Sequence, residues 1–453
     1  MNIKLRQFIL FLGDIALLYA SLFIALSIRN QAIINGEVWQ EHWPVFSIAF
    51  AIWLIVFYIA GVYSLSNIRN DLQSFITTSQ AMGINILLAV SLFYIIPQTQ
   101  LAPKTILLIT GIIFFVLYIG WRRLMYQSIS SKAFKRRVLI IGNNNAVAEL
   151  TKILDNNPQY GYELAAVLSH DAKNQIGNLP DYADSEQLQT ILKKHHISIV
   201  VMDKHSRDSG KLISNLYKHL DKRLEFISLS QFYEDITKKI SLESIDQFWF
   251  LENLQEGKKR LYDVGKRTID IFASVLGIII SIILMPLLSV TVLLTSGKPI
   301  FFTQIRLGKN GKPFKAIKFR TMVKDAEKHG PQWASQNDPR ITPLGAFLRK
   351  SRLDEVPQLW NVLRGEMSFV GPRPERPEFV EELEKKIPFY RERLLVKPGI
   401  TGWAQINYRY GASINDAIKK LQFDLYYVKN RSLILDLGVI LKTIKTVLSF
   451  IGR

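Results

Sequence analysis

The chain of 453 residues contains no cysteine. That excludes disulfides, zinc–thiolate sites and cysteine nucleophiles, and it is compatible with a reducing compartment. Histidine is sparse too, at seven, with one adjacent pair at His195 and His196. Neither H-E-x-x-H nor G-x-S-x-G occurs, which removes the zinc-protease and serine-hydrolase signatures. Acidic residues are scarce: 38 Asp and Glu stand against 57 Lys and Arg, a formal net charge of +19. Such a surplus suits nucleic acid, anionic lipid or a phosphorylated small molecule. The mean hydropathy is nevertheless positive, +0.12. Charge and apolar residues must therefore be segregated along the chain.

What is present begins with four apolar segments, 8–28, 44–63, 80–96 and 105–121. Each approaches the roughly 20 residues that cross a bilayer core. The first is too long, and too soon followed by others, for a cleaved signal peptide. Lys4 and Arg6 precede the set; Arg122, Arg123, Lys132, Lys135, Arg136 and Arg137 follow it. By the positive-inside rule both ends of this bundle face the cytoplasm.

From residue 137 to about 254 the pattern turns to soluble α/β. "RVLIIG", "YELAAVLS", "ISIVVMD" and "LEFISL" read as buried strands, with helical stretches between them. The alternation predicts a parallel, Rossmann-like sheet. The turn after the first strand reads "GNNNAV", with Gly142 alone of the glycines a dinucleotide fingerprint requires. Two readings stand: a nucleotide or effector site, or a sheet that holds no cofactor.

A basic hinge, "GKKRLYDVGKR", leads to a fifth apolar stretch, 269–294. Lys and Arg flank it on both sides, whereas a spanning helix concentrates them on one. Pro286 inside it removes a backbone donor and favours a kink. A re-entrant hairpin over 268–296 satisfies both observations; a fifth full span is the alternative. Residues 258–328 hold fourteen Lys and Arg against four Asp and Glu. Beside a membrane hairpin that surface suits anionic headgroups. No zinc finger, RNP-type motif or basic zipper supports nucleic acid.

Within 351–375, "SRLDEVPQLWNVLRGEMSFVGPRPE", stands an adjacent acidic pair, Asp354 and Glu355. "EVPQLWNVLRG" predicts a helix of about three turns, with Pro357 in its first turn and Gly365 as its C-terminal cap. A plain N-cap is one reading of Asp354. The surroundings argue for another. "KFRTM", "LRKSRLDE", "GPRPERPEF" and "VKPGITGWAQINYRYG" are rich in Arg, Lys, Gly and Pro. Convergent basic residues at a helix N-terminus make a phosphate site. Two carboxylates in such a site can hold a divalent metal or attack phosphorus.

These blocks, with "FTQIRLGKNGKPFKAIKFRTM" and "LQFDLYYVKNRSLILDLGVILKTIKTVL", resemble the bacterial sugar transferases, the polyprenyl-phosphate hexose-1-phosphate transferases, from about Gly265 to the C-terminus. The upstream bundle and sheet resemble the long members that initiate exopolysaccharide or O-antigen synthesis. The resemblance implies transfer of a sugar 1-phosphate from a UDP-sugar to undecaprenyl phosphate, with release of UMP, at the bacterial inner membrane. It implies Asp354 as nucleophile, through a sugar-phosphoryl-aspartate intermediate, and Glu355 as a holder of Mg2+. It also implies a monotopic catalytic domain, although the family's Ser-Pro hairpin break is here Met285-Pro286. Lys318, Arg320 and Arg373 are candidate phosphate contacts, Arg352 a candidate to neutralise charge near the dyad, and Lys397 a candidate substrate contact. Gln405 and Arg409 are candidates for nucleotide or phosphate, and Asp424 for a second acid near the metal.

The expected architecture is a four-helix bundle (1–125), a Rossmann-like domain (135–255) and a mainly helical catalytic domain (258–453). Competing readings are an NAD-dependent nucleotide-sugar dehydratase or epimerase, and a non-catalytic scaffold for polysaccharide assembly. The sequence leaves open the sugar, the ligand of the sheet domain, and whether the chain is a monomer or a homodimer.

Overall fold

The computed structural model describes residues 3–64, 71–95, 103–131, 135–142, 144–168, 181–182, 188–204, 210–217, 224–254, 259–324, 326, 328, 338–408, 411 and 413–448. It contains two compact units, Met1–Leu229 and Ser230–Arg453.

The first unit opens with α1 (Ile3–Asn30), α2 (Gly36–Ala60), α3 (Leu72–Ile95) and α4 (Pro103–Ser130). Their apolar residues face both ways. Leu18, Leu22, Phe46, Trp53, Phe57 and Phe114 pack inside. Ile48, Leu87, Ile112 and Val116 point outward and are exposed. Helices that are apolar all round require an apolar solvent. All four are long and apolar enough to cross a membrane, and the protein is a multi-pass membrane protein. Within the bundle Arg122 of α4 meets Asp14 of α1 at 2.7 Å, so each charge has its partner at hand.

A parallel sheet follows, formed by β1 (Arg136–Ile141), β2 (Tyr162–Leu168), β3 (Asp181–Tyr182), β4 (Ile199–Met202) and β5 (Glu225–Ser228). Its order is β3-β2-β1-β4-β5. In sequence, α5 (Asn145–Asn156), α6 (Leu188–Lys194) and α7 (Gly210–Tyr217) lie between strands. Val138, Leu139, Ile140, Val200 and Val201 are fully buried, as parallel strands covered on both faces should be. Strand order reverses between β1 and β4. There Gly142 takes φ +127°, and a Cβ on it would lie 2.7 Å from the Asp203 Cβ. Close backbone packing therefore requires this glycine. Asn144 caps α5 by accepting from the Val147 N–H at 3.1 Å, and its amide donates to Asp203 at 3.3 Å.

The second unit contains α8 (Leu229–Thr237) from Ser230 onward, and α9 (Gln247–Asn253). Ile240, Ile245 and Trp249 pack with Val380, Leu383 and Leu421, so this stretch belongs to the second core. Next comes α10 (Arg260–Ser296), one helix of 37 residues that runs through Pro286. It touches its own unit along its length. Lys266 pairs with Asp436 at 2.8 Å, and Arg267 donates to the Val362 and Leu363 carbonyls, both at 2.7 Å. Asp270 accepts from Ser368 Oγ and the Phe369 N–H. Leu288 and Val292 pack with Phe319 and Leu348.

The remaining elements are an antiparallel hairpin of β6 (Phe301–Leu307) and β7 (Pro313–Phe319), then α11 (Pro343–Lys350) and α12 (Leu359–Arg364). After them come β8 (Ser368–Val370), α13 (Pro377–Lys386), β9 (Gly399–Thr401) parallel to β8, α14 (Trp403–Asn407), α15 (Ile414–Asn430) and α16 (Leu433–Leu448).

Candidate active site

The acidic pair sits where the predicted three-turn helix is in fact two pieces. Leu353–Gln358 forms a 3-10 turn and α12 begins only at Leu359. Pro357 explains the split, because it has no N–H to give to the carbonyl four residues back. Asp354 is not the N-cap. Arg352 holds that position, in left-handed backbone at φ 60°. The reversal at Arg352 turns both carboxylates inward, and Asp354 and Glu355 are 6% and 4% exposed.

Distances separate the two carboxylates into one that is engaged and one that is not. Glu355 Oε1 accepts from Lys318 Nζ at 2.8 Å and from Arg373 Nη2 at 3.0 Å. Its Oε2 lies 3.5 Å from Arg352 Nη1. Asp354 Oδ1 is buried and has no hydrogen-bond partner among the described residues.

Electrostatics separates the two groups further. Burial pushes the Asp354 carboxyl up to about 6, with the Glu355 charge adding to the rise and Lys318, Arg349 and Arg373 opposing it. Burial works on Glu355 in the same direction, but Lys318, Arg373 and Arg352 outweigh it and hold that carboxyl well below its ordinary value. Burial lowers Lys318, against the pull of Glu355.

The supporting framework comes from distant parts of the chain. Asn361 of α12, fully buried, donates to the Lys315 carbonyl and accepts from the Ile317 N–H. It thereby fixes β7, which carries Lys318. Arg373 follows β8 in a turn held by Arg306, whose Nη1 donates to the Pro374 carbonyl at 2.9 Å. Arg393 donates to the Arg373 carbonyl at 2.9 Å.

Of the residues expected from sequence, Lys318, Arg352 and Arg373 converge on Glu355 beside Asp354. Arg320 instead donates to the carbonyls of Lys298 and Met322. Lys397 stands with Arg267 near Gly365, at the opposite end of α12. Gln405 donates to the Ile400 carbonyl. Asp424 is paired with Arg393. Arg409 lies outside the described residues. Arg349 was not singled out. It acts on Asp354 from the last turn of α11 and donates to Thr321 Oγ1 at 2.9 Å. Its place in "LRKSRLDE", one helical turn and a bend before the pair, was the available signal.

Both oxygens of Glu355, the expected holder of Mg2+, face cations in this arrangement. Among the described residues no group of three His, Asp or Glu side chains is placed to hold an ion.

Residues 261–450 match the bacterial sugar transferase family. Individual relatives agree. An undecaprenyl-phosphate N-acetylgalactosaminyl 1-phosphate transferase of Bacillus subtilis, so named provisionally, is 42% identical over 160 residues, 35% of this chain and 87% of the relative. The UDP-glucose:undecaprenyl-phosphate glucose-1-phosphate transferase of Escherichia coli is 34% identical over 322 residues, 68% of this chain and 67% of the relative. This chain belongs to the bacterial sugar transferase family. A UDP-N-acetylgalactosamine-undecaprenyl-phosphate N-acetylgalactosaminephosphotransferase of Aeromonas hydrophila is 44% identical over 192 residues. The match spans 42% of this chain and 45% of that relative, less than half of its length. As a sugar transferase with a multi-pass bundle, the protein resides in the bacterial inner membrane with its soluble parts on the cytoplasmic side.

Proposed function

We propose that this transferase moves a sugar 1-phosphate from a UDP-sugar to undecaprenyl phosphate, releasing UMP, as the first step of a cell-surface polysaccharide. The relatives' substrates support the reaction class. The observation that carries the mechanism is the contrast between neighbours: Glu355 is held by three cations, while Asp354 Oδ1 is buried without a hydrogen bond. A carboxylate whose lone pair is uncommitted is the better nucleophile.

In this reading the diphosphate enters over Lys318, Arg352 and Arg373. Asp354 attacks the phosphorus bonded to the sugar, the bond to the UMP oxygen breaks, and UMP leaves with that electron pair. The cations offset the charge gathering on the leaving phosphate. The lipid phosphate then attacks the aspartyl phosphodiester, which restores the free carboxylate. A divalent cation such as Mg2+ would add to that charge neutralisation on the diphosphate; Glu355, with both oxygens facing cations, fits poorly as its holder.

The lipid acceptor requires a site at the bilayer boundary. We infer that α10 is re-entrant and returns to the cytoplasmic leaflet. A straight helix of its length would reach about 55 Å. Contacts with one unit near its start and near its end, together with basic flanks, favour the bent path. The parallel sheet is read as a Rossmann-like domain whose "GNNNAV" turn serves packing. Incubation of the purified protein with a panel of UDP-sugars and undecaprenyl phosphate tests the reaction class. One sugar should give UMP and a lipid-linked sugar diphosphate in equal amounts. UMP from none of them would count against the assignment.

A further inference from the structure

The expected role of Glu355 as a metal ligand disagrees with its surroundings, and the disagreement points to another role. We propose that Glu355 is the internal counter-anion of the phosphate site: it holds Lys318, Arg352 and Arg373 together when the site is empty, and it competes with phosphate for their charge. The inference rests on the phosphotransfer reading above.

Three observations carry it. The cations come from β7, from the bend before the 3-10 turn and from the turn after β8, and one carboxylate is common to all three. The Glu355 side chain is 4% exposed, whereas those of Lys318, Arg352 and Arg373 are 22%, 29% and 32% exposed. The carboxylate is thus the most buried of the four groups, and the three basic side chains around it are part-exposed. Arg349 adds a fourth positive charge near Asp354.

Without a buried anion three like charges repel one another, and a bound phosphate would take over the part of holding them. With the anion in place they are preassembled, and the net field on a bound phosphate is moderated. Moderation matters to this reaction, because UMP has to leave before the lipid phosphate can take its place.

The counter-anion and metal-ligand roles predict opposite signs when the charge is removed. The test is calorimetric titration of the full-length protein in nanodiscs with UMP, in Mg2+ and in EDTA, for the wild type and Glu355→Gln. The expected result is that the wild type binds UMP in EDTA, and that Glu355→Gln binds it about tenfold tighter there, as loss of one nearby charge in a partly screened site implies. Turnover of the variant should fall as UMP is retained. Wild-type binding that requires Mg2+ would overturn the inference even if the variant fails to fold. So would UMP binding by the variant that is no tighter in EDTA. Absence of UMP binding by the wild type in either buffer would overturn the phosphotransfer reading, and this inference with it.

Discussion

Arg393 grips Asp424 through two nitrogens, Nε at 3.0 Å and Nη2 at 2.8 Å, with both side chains buried. The same guanidinium donates to the Arg373 carbonyl. Burial pushes the Asp424 carboxyl up while Arg393 pulls it down, so the pair depends on both partners being present. Arg393→Ala would leave an unpaired buried carboxyl, at a cost of about 3–5 kcal/mol. It would also loosen the turn that aims Arg373. The expected outcome is a lower unfolding midpoint, together with a higher KM for the UDP-sugar. Unchanged stability in a denaturant titration would contradict this role for the pair.

The pH profile should follow Asp354. Its carboxyl is pushed up to about 6, chiefly by burial, so the nucleophile becomes protonated as pH drops through that value. The first half-reaction should slow about tenfold for each unit below it. A rate independent of pH between 5 and 8 would conflict with the assignment.

The same shift has a consequence for stability. The folded value lies above the ordinary one, so Asp354 favours the fold at low pH and that contribution is lost as pH rises through about 6. Asp354→Asn removes the buried charge. It should be inactive yet at least as stable as the wild type at pH 8, by no more than about 3 kcal/mol. The advantage should vanish near pH 4. Thermal unfolding at the two pH values measures it.

Arg352 separates backbone from charge. Its φ of 60° disfavours any residue with a Cβ. Arg352→Gly should therefore be more stable than Arg352→Ala by about 1 kcal/mol. Both lose the cation facing Glu355, so both should transfer sugar phosphate poorly. Equal stability of the two variants would show that the left-handed turn carries no strain.

Gly371 tests the turn after β8. A Cβ there would lie 2.3 Å from the Lys397 carbonyl oxygen and 2.9 Å from the Gly399 nitrogen. Neither backbone group can move aside freely. Gly371→Ala should cost about 1–3 kcal/mol and displace Arg373, lowering turnover. Activity equal to wild type would mean that the turn tolerates the shift.

The large elements were legible because their causes are local. Continuous apolar runs announce α1 to α4, and short apolar runs announce β1, β2, β4 and β5. Two-residue β3 has no such run. The dyad and three of its basic neighbours were readable from motif density, yet the pairing was not. Sequence spacing does not show that Arg393 reaches Asp424 across 31 positions, or that Arg267 covers the end of α12 from 95 positions away. The break before α12 was foreshadowed by Pro357, but a proline in a first turn is equally compatible with an unbroken helix. The left-handed bend at Arg352 has no signal in composition at all.

A single-turnover experiment asks directly whether Asp354 carries the sugar phosphate. The purified protein would be mixed with the UDP-sugar and Mg2+ in the absence of lipid phosphate, with UMP quantified and the peptides weighed. The expected result is a burst approaching one UMP per active enzyme, and a phosphosugar mass on the peptide containing Asp354. UMP release only after undecaprenyl phosphate is added, with no modified peptide, would contradict it and favour direct displacement.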